Sequence, residues 1–197
     1  MKVTLLDMGV GNLHSLGHAL EDCGATVEVE TDARRCLRAE ALVLPGVGAF
    51  PPAAEALASV RQQLAQALLA GLPCLAICLG LQLLLTSSEE GAGEGLCVLN
   101  GRVERLRARR VPHMGWNVLE GEDSLLAASA LSTAYYAHSY WCRLEDENGV
   151  RAVSHHEDQR IPALVRKART IGVQFHPEKS GRGGRRFLAA VLEELQR

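Results

Sequence analysis

The sequence lacks an excess of charge of either sign. Its 197 residues carry 21 Lys and Arg against 23 Asp and Glu, a formal net charge of −2. That leaves no basic footprint for a nucleic-acid backbone, and no nucleic-acid partner is expected. Paired metal-ligand spacing is lacking too. The six cysteines are Cys23, Cys36, Cys74, Cys78, Cys97 and Cys142. Cys74 and Cys78 stand as C-x-x-x-C with no second pair, so no metal site is expected. An export signal is also missing, because the apolar run of Met1-Lys2-Val3-Thr4-Leu5-Leu6-Asp7 is too short. A cytoplasmic protein with reduced cysteines is the default. No internal repeat or low-complexity linker interrupts the chain. With 47% apolar residues it can bury a sizeable core, and a single domain over 1–197 is expected.

One stretch imitates a membrane span. Residues 62–88 hold no formal charge, and Leu68 to Leu85 is nearly all apolar, a length that would flag a membrane helix. Gly71 and Pro73 interrupt it near the start, Gly80 and Gln82 near the end. It reads instead as a helix end, a buried strand and the start of a second helix. Strands in the middle of a parallel sheet are near-continuous apolar runs of this kind. No membrane partner is expected.

In chain order, Lys2–Asp7, Thr26–Glu30 and Ala41–Leu44 read as strands. Between the first two, Leu13, Leu16, Leu20 and Cys23 share a helix face, with Asn12 as its cap. Gly9-Val10-Gly11 with Glu30 gives most of a dinucleotide fingerprint, but its third glycine is replaced by His14. A tight turn is expected there and no nucleotide. One long helix is expected from Pro52 to Ala70, with Ala53, Leu57, Val60, Leu64 and Leu68 inward. Beyond a polar loop at Glu89–Glu94, Leu96–Leu106 and Trp116–Leu119 read as strands joined by an exposed basic connector, Arg107–Arg110. Tyr135–Tyr140, Val150–Ser154, Ile161–Val165 and Thr170–Phe175 are further strands. A closing helix carries Phe187, Leu188, Val191, Leu192 and Leu195 on one face. Strands alternating with helices imply an α/β fold, an open, mostly parallel sheet flanked by helices, extended here by an antiparallel ribbon.

The chemistry centres on Leu72–Gln82. A short apolar strand ends at Cys78 and a helical pattern follows at once, with small residues two before (Ala76) and two after (Gly80). This is the form of a nucleophile elbow. Cys78 would stand at a helix N-terminus, where the dipole and free N–H groups favour a thiolate. An unperturbed thiol of pKa about 8.5 is only about 3% ionised at pH 7. Among seven histidines, His113 and His138 lie in aromatic segments, and His155 and His156 in a polar loop. His176 closes the apolar run Ile171–Phe175, with Glu178 two residues on. Strand C-termini are where open α/β sheets place their sites, and a histidine oriented by a carboxylate fits triad logic. Pro45-Gly46-Val47-Gly48, also at a strand end, offers backbone N–H groups for an oxyanion, with Leu79 as the second donor.

Ala76-Ile77-Cys78-Leu79-Gly80-Leu81-Gln82 with Gln174-Phe175-His176-Pro177-Glu178 resembles the class I, triad-type glutamine amidotransferases. Gly11–Ser15, Leu44–Phe50, Pro112-His113-Met114-Gly115-Trp116-Asn117, Tyr136–Tyr140 and Phe175–Ser180 narrow the resemblance to the glutaminase subunits of imidazole glycerol phosphate synthases. The stretches span nearly the whole chain, and His113–Asn117 discriminates most. Ala76 departs from the glycine usual there. The resemblance implies a flavodoxin-like sheet and no cofactor. It implies a Cys78, His176 and Glu178 triad that hydrolyses L-glutamine through a thioester, with the oxyanion held by Gly46, Val47, Gly48 and Leu79. Gly48, Gln82, His138, Ser139 and Tyr140 would contact the glutamine. It implies a heterodimer with a (β/α)8-barrel cyclase that receives the ammonia. Asn12, Trp116, Tyr135 and Lys179 would lie at that interface. A flip of one peptide in the Pro45–Gly48 loop is the expected means of holding hydrolysis back until the partner is loaded.

Overall fold

The computed structural model describes residues 1–9 and 13–197. Strands β1 (Lys2–Leu6), β2 (Thr26–Glu30), β3 (Leu42–Leu44) and β4 (Cys74–Ile77) alternate with helices α1 (His14–Asp22), α2 (Phe50–Leu57), α3 (Arg61–Leu69) and α4 (Leu79–Leu83). Then come β5 (Gly101–Arg105), β6 (His113–Val118), β7 (Glu120–Gly121), α5 (Ser124–Ser129), β8 (Thr133–His138) and β9 (Tyr140–Leu144). The last elements are β10 (Val150–His156), β11 (Gln159–Lys167), β12 (Thr170–Val173) and α6 (Gly181–Leu195). The main sheet runs β2-β1-β3-β4-β12-β11-β10-β7. It is parallel from β2 to β12 and antiparallel beyond. Two small antiparallel sheets, β5-β9 and β6-β8, complete it. This is the expected open, mostly parallel sheet with an antiparallel extension.

Alternation along the strands explains why helices cover both faces. Val43, Leu75 and Ile77 turn to one core with α1, α5 and α6. Leu42, Leu44, Cys74 and Ala76 turn to a second core with α2, α3 and α4. A strand buried on both sides has no polar register to lose, which is why β4 is apolar throughout.

Several elements differ from the sequence reading. The helix expected from Pro52 to Ala70 is two helices. Val60 leaves the helical region (φ −125°), and its N–H bonds back only three residues, to Leu57 O. The break still lets Leu57, Val60 and Leu64 all bury, so the apolar period was right and the continuity was not. Only Gly101–Arg105 of the strand expected over Leu96–Leu106 forms. Leu96 N–H and Val98 N–H donate to Leu83 O and Leu84 O at 2.7 and 2.8 Å. The segment thus satisfies the open carbonyls at the end of α4 and is not free to pair in a sheet. The strand expected over Tyr135–Tyr140 stops at His138, and β9 starts afresh at Tyr140 to pair with β5. The short α5, capped by Asp123 Oδ1 accepting from Leu125 N–H at 2.9 Å, was not foreseen. The expected cap at Asn12 and most of the Gly9–Gly11 turn lie outside the described residues.

Candidate active site

Sheet order brings three strand C-termini side by side. In register, Leu44 of β3 lies beside Ala76 of β4, and Ile77 of β4 beside Val173 of β12. The loops leaving them carry Gly46–Gly48, Cys78 and His176. Cys78 has φ 45° and ψ −99°, a conformation that costs a non-glycine residue on the order of 1–3 kcal/mol. Its N–H donates to Val173 O at 2.7 Å, tying the elbow to the histidine strand. Gly80 is obligatory: a Cβ there would lie 2.3 Å from Leu44 O. Gly46 sits directly against the elbow, where a Cβ would approach Cys78 Cβ to 3.1 Å. Ala76 is fully buried between Leu44 and Gly172 on the neighbouring strands. The elbow forms with its methyl group in place.

His176 is buried. Its N–H donates to Tyr135 O at 2.8 Å, and its carbonyl accepts from Ser180 Oγ at 2.7 Å. Nδ1 lies 2.8 Å from Glu178 Oε1. Burial alone would lower its pKa, but the neighbouring Cys78 sulfur and Glu178 carboxylate outweigh that and raise it to about 10. The ring therefore holds a proton at neutral pH, placed between a carboxylate and a sulfur. Gln174 Nε2 also lies 3.4 Å from Cys78 Sγ.

Cys78 opens into a cavity of about 310 Å³. Gly46, Val47, Gly48, Leu79, Gln82, His138, Ser139 and Tyr140 all line it, so every oxyanion and glutamine candidate converges on one place. Gly48 has φ +127°, which only glycine adopts without strain. Gln82 Nε2 donates to Tyr140 O at 2.9 Å. Four further residues, Glu90, Pro112, Met114 and Ala137, line the cavity and were missed. Glu90 is the informative one. Its Oε2 accepts from Phe50 N–H at 2.7 Å, which sets an acid on the cavity wall. Its neighbour Glu89 instead accepts from Arg105 N–H. Sequence offered two adjacent acids in a polar loop and no means of choosing. A larger open depression of about 830 Å³ over α5 holds none of these groups, so size alone would point to the wrong place.

The interface candidates lie together on β6, β8 and the turn after His176. Trp116 is 59% exposed and stands edge-on to Tyr135, ring centres 6.2 Å apart. Met114 and Val118 alternate with it on the same outward face, 64% and 52% exposed. Lys179 is exposed. Asn12 lies outside the described residues.

The fold is shared with solved amidotransferases. A glutamine amidotransferase structure superposes with a TM-score of 0.76 at 20% identity, covering 98% of both chains. PurLQS from Thermotoga maritima gives 0.73 at 19% identity, covering 98% of this chain and 97% of that one. The class I glutamine amidotransferase family matches residues 4–194. Curated relatives narrow the class. The imidazole glycerol phosphate synthase subunit HisH of Gloeothece citriformis is 38% identical over 203 residues, covering 98% of this chain and 96% of the relative. The HisH subunit of Pyrobaculum aerophilum is 42% identical over 198 residues, covering 97% and 99%. The chain belongs to this HisH family of class I glutamine amidotransferases. Among the described residues no helix is long and apolar enough to cross a membrane.

Proposed function

We propose that the chain is the glutaminase subunit of an imidazole glycerol phosphate synthase and that Cys78, His176 and Glu178 are its catalytic residues. The observation that carries this is the strained Cys78, electrostatically coupled to a buried His176–Glu178 pair and opening into a cavity lined by the Gly46–Gly48 loop. Glutamine enters with its α-ammonium toward Glu90 and its side-chain amide toward Cys78. The sulfur attacks the amide carbon. The oxyanion is received by backbone N–H groups of the Gly46–Gly48 loop and of Leu79. His176, already protonated, gives its proton to the departing ammonia while Glu178 steadies the ring. Water then attacks the thioester, with His176 as base, and glutamate leaves. Gly48, Gln82, His138, Ser139 and Tyr140 hold the substrate.

Ammonia set free in water at neutral pH is mostly protonated and loses its nucleophilicity, so it is passed on under cover. The partner is a (β/α)8-barrel cyclase subunit, joined as a heterodimer, that uses the ammonia to make imidazole glycerol phosphate and an aminoimidazole carboxamide ribotide on the histidine pathway. It docks on Met114, Trp116 and Val118, with Tyr135, Lys179 and Asn12 at its rim. Met114 both lines the cavity and is exposed, so a partner there sits over the cavity mouth. A peptide flip in the Pro45–Gly48 loop, eased by two glycines, gates the reaction.

The test is ammonia release from glutamine by the chain alone, with the cyclase subunit, and with that subunit holding its ribotide substrate. The expected result is slow release alone, a strong rise with the loaded partner, and none from Cys78→Ala. Full activity without a partner would leave a free-standing glutaminase and remove the synthase reading. Activity that survives Cys78→Ala would remove the triad.

A further inference from the structure

A second row of buried polar groups reaches the cavity through His138. His113 and His138 are paired residues on β6 and β8, and both rings are buried. The hydrogen bonds around them fix where every proton sits. Asn117 Nδ2 donates to His155 O at 2.7 Å, and Asn117 Oδ1 accepts from Val118 N–H at 2.8 Å. These two contacts set the orientation of the amide. Its remaining hydrogen is directed to His113 Nε2, 3.1 Å away, so that nitrogen accepts. At the other end, Tyr140 O can only accept, so His138 Nδ1, 2.9 Å from it, donates. His138 Nε2 and His113 Nδ1 are 3.0 Å apart.

Burial holds both rings neutral at pH 7, His113 down to about 4 and His138 down to about 3. Neutral rings leave one solution. Both histidines carry the proton on Nδ1, and donation runs one way, from Asn117 to His113 to His138 to the Tyr140 carbonyl. That carbonyl is the junction, because Gln82 Nε2 donates to it as well. Gln82, His138 and Tyr140 all face the cavity. The far end of the row is equally placed. His113 and Asn117 point inward from β6, and Met114, Trp116 and Val118 point outward from the same strand.

We propose that His113 and Asn117 are positioning residues for the substrate wall: their one-way row of hydrogen bonds sets the Tyr140 carbonyl, and through it the Gln82 amide, in the orientation that receives the substrate. It also ties that orientation to the strand whose outer face is the docking surface. Neither residue touches the reacting atoms, and both act through His138. The kinetic part rests on the reading of the cavity as a glutamine site. The proton order does not.

The first experiment is long-range 1H–15N correlation NMR on the full chain with 15N-histidine, at pH 7. Both His113 and His138 are expected as neutral Nδ1–H rings. An Nε2–H or doubly protonated form at either position would overturn the row. Asn117→Asp replaces the donor with an acceptor, and His113 is then expected to take a proton on Nε2; an unchanged His113 spectrum counts against the proposal. The second experiment measures glutamine hydrolysis in the complex with the loaded cyclase subunit. His113→Leu cuts the row, whereas His113→Asn can place an amide N–H where Nδ1–H stood. The expected result is a glutamine KM raised about tenfold in His113→Leu, with a much smaller change in kcat, and largely restored in His113→Asn. An unchanged KM in His113→Leu, or an equal loss in both variants, would sink the positioning role. The wild-type rate in the same assay tests the glutamine reading by itself.

Discussion

Cys78 and the atoms around it hold a conformation that its neighbours enforce. Gly80 lets α4 start against the β3 carbonyls, so Gly80→Ala drives a methyl group into Leu44 O. The expected cost is at least ~3 kcal/mol, since backbone cannot yield as a side chain does. It should be read as a lower denaturation midpoint together with lost hydrolysis. His176 makes a second prediction at this scale. Its folded pKa of about 10 lies above the unfolded value of about 6.5, so folding tightens its hold on the proton. The stability this contributes is complete below about pH 6.5 and is lost as pH rises through about 10. Urea midpoints of the wild type should therefore fall between pH 7 and 10. The fall should be shallower in Glu178→Gln, which keeps an acceptor oxygen for Nδ1 but removes the carboxylate charge that helps raise the pKa. Equal slopes in the two proteins would contradict the assignment. Cys78, His176 and Glu178 were legible because each is marked locally, by a small-residue turn or by a strand end next to a carboxylate. Glu90 and the His113–His138 pair were not, because their placement depends on which strand meets which.

The elements divide along the same line. β1 to β4 were readable as short runs closed by turn residues, with β3 and β4 apolar throughout, and α6 because one helical period faces one core. The break at Val60 and the irregular path of residues 96–100 were not, because they answer to contacts made elsewhere: a side chain seeking the core, and open carbonyls at the end of α4. The joint between α5, β11 and α6 is the third case. Arg166 Nε and Nη2 donate to both oxygens of Asp123 at 2.6 and 2.8 Å. The same guanidinium bonds the Glu194 carboxylate on α6. Asp123, the cap of α5, is buried, and Arg166 holds its pKa below the usual carboxylate range in spite of that burial. Arg166→Ala leaves Asp123 in the protein interior without its counter-charge. The expected loss is ~2 kcal/mol, discounted from a fully buried pair because Arg166 reaches solvent. Arg166→Met in the same chemical denaturation series should lose a similar amount, because packing does not replace the charge. Recovery of wild-type stability by Met would show that the stem of Arg166, not its ion pairs, holds the joint.

At the scale of the whole molecule, the sheet gathers Cys78, His176 and the Gly46–Gly48 loop at one end, and β6-β8 stands beside them as a separate ribbon. That ribbon has a dry side and an exposed side. His113 and Tyr136 are buried on the first, their rings stacked 4.5 Å apart. Met114, Trp116 and Val118 remain uncovered on the second. Three large apolar side chains on alternate positions of one strand form a patch that solvent does not favour, and it borders the cavity through Met114. If this patch is where the cyclase subunit docks, Trp116 is the group with most surface to lose and the natural anchor. Trp116→Ala should leave the thermal midpoint of the isolated chain within a degree or two, since the ring is mostly in water. It should weaken association with the cyclase subunit by about thirtyfold, the effect of removing ~2 kcal/mol from a central aromatic contact. Isothermal titration against the purified barrel would measure it, with Val29→Ala as the control. Val29 is 54% exposed on β2, the edge strand at the other end of the sheet from β10, the strand that β6 touches, and its loss should not change affinity. Equal affinities for wild type and Trp116→Ala would move the docking surface off β6, and with it the link from partner to substrate wall.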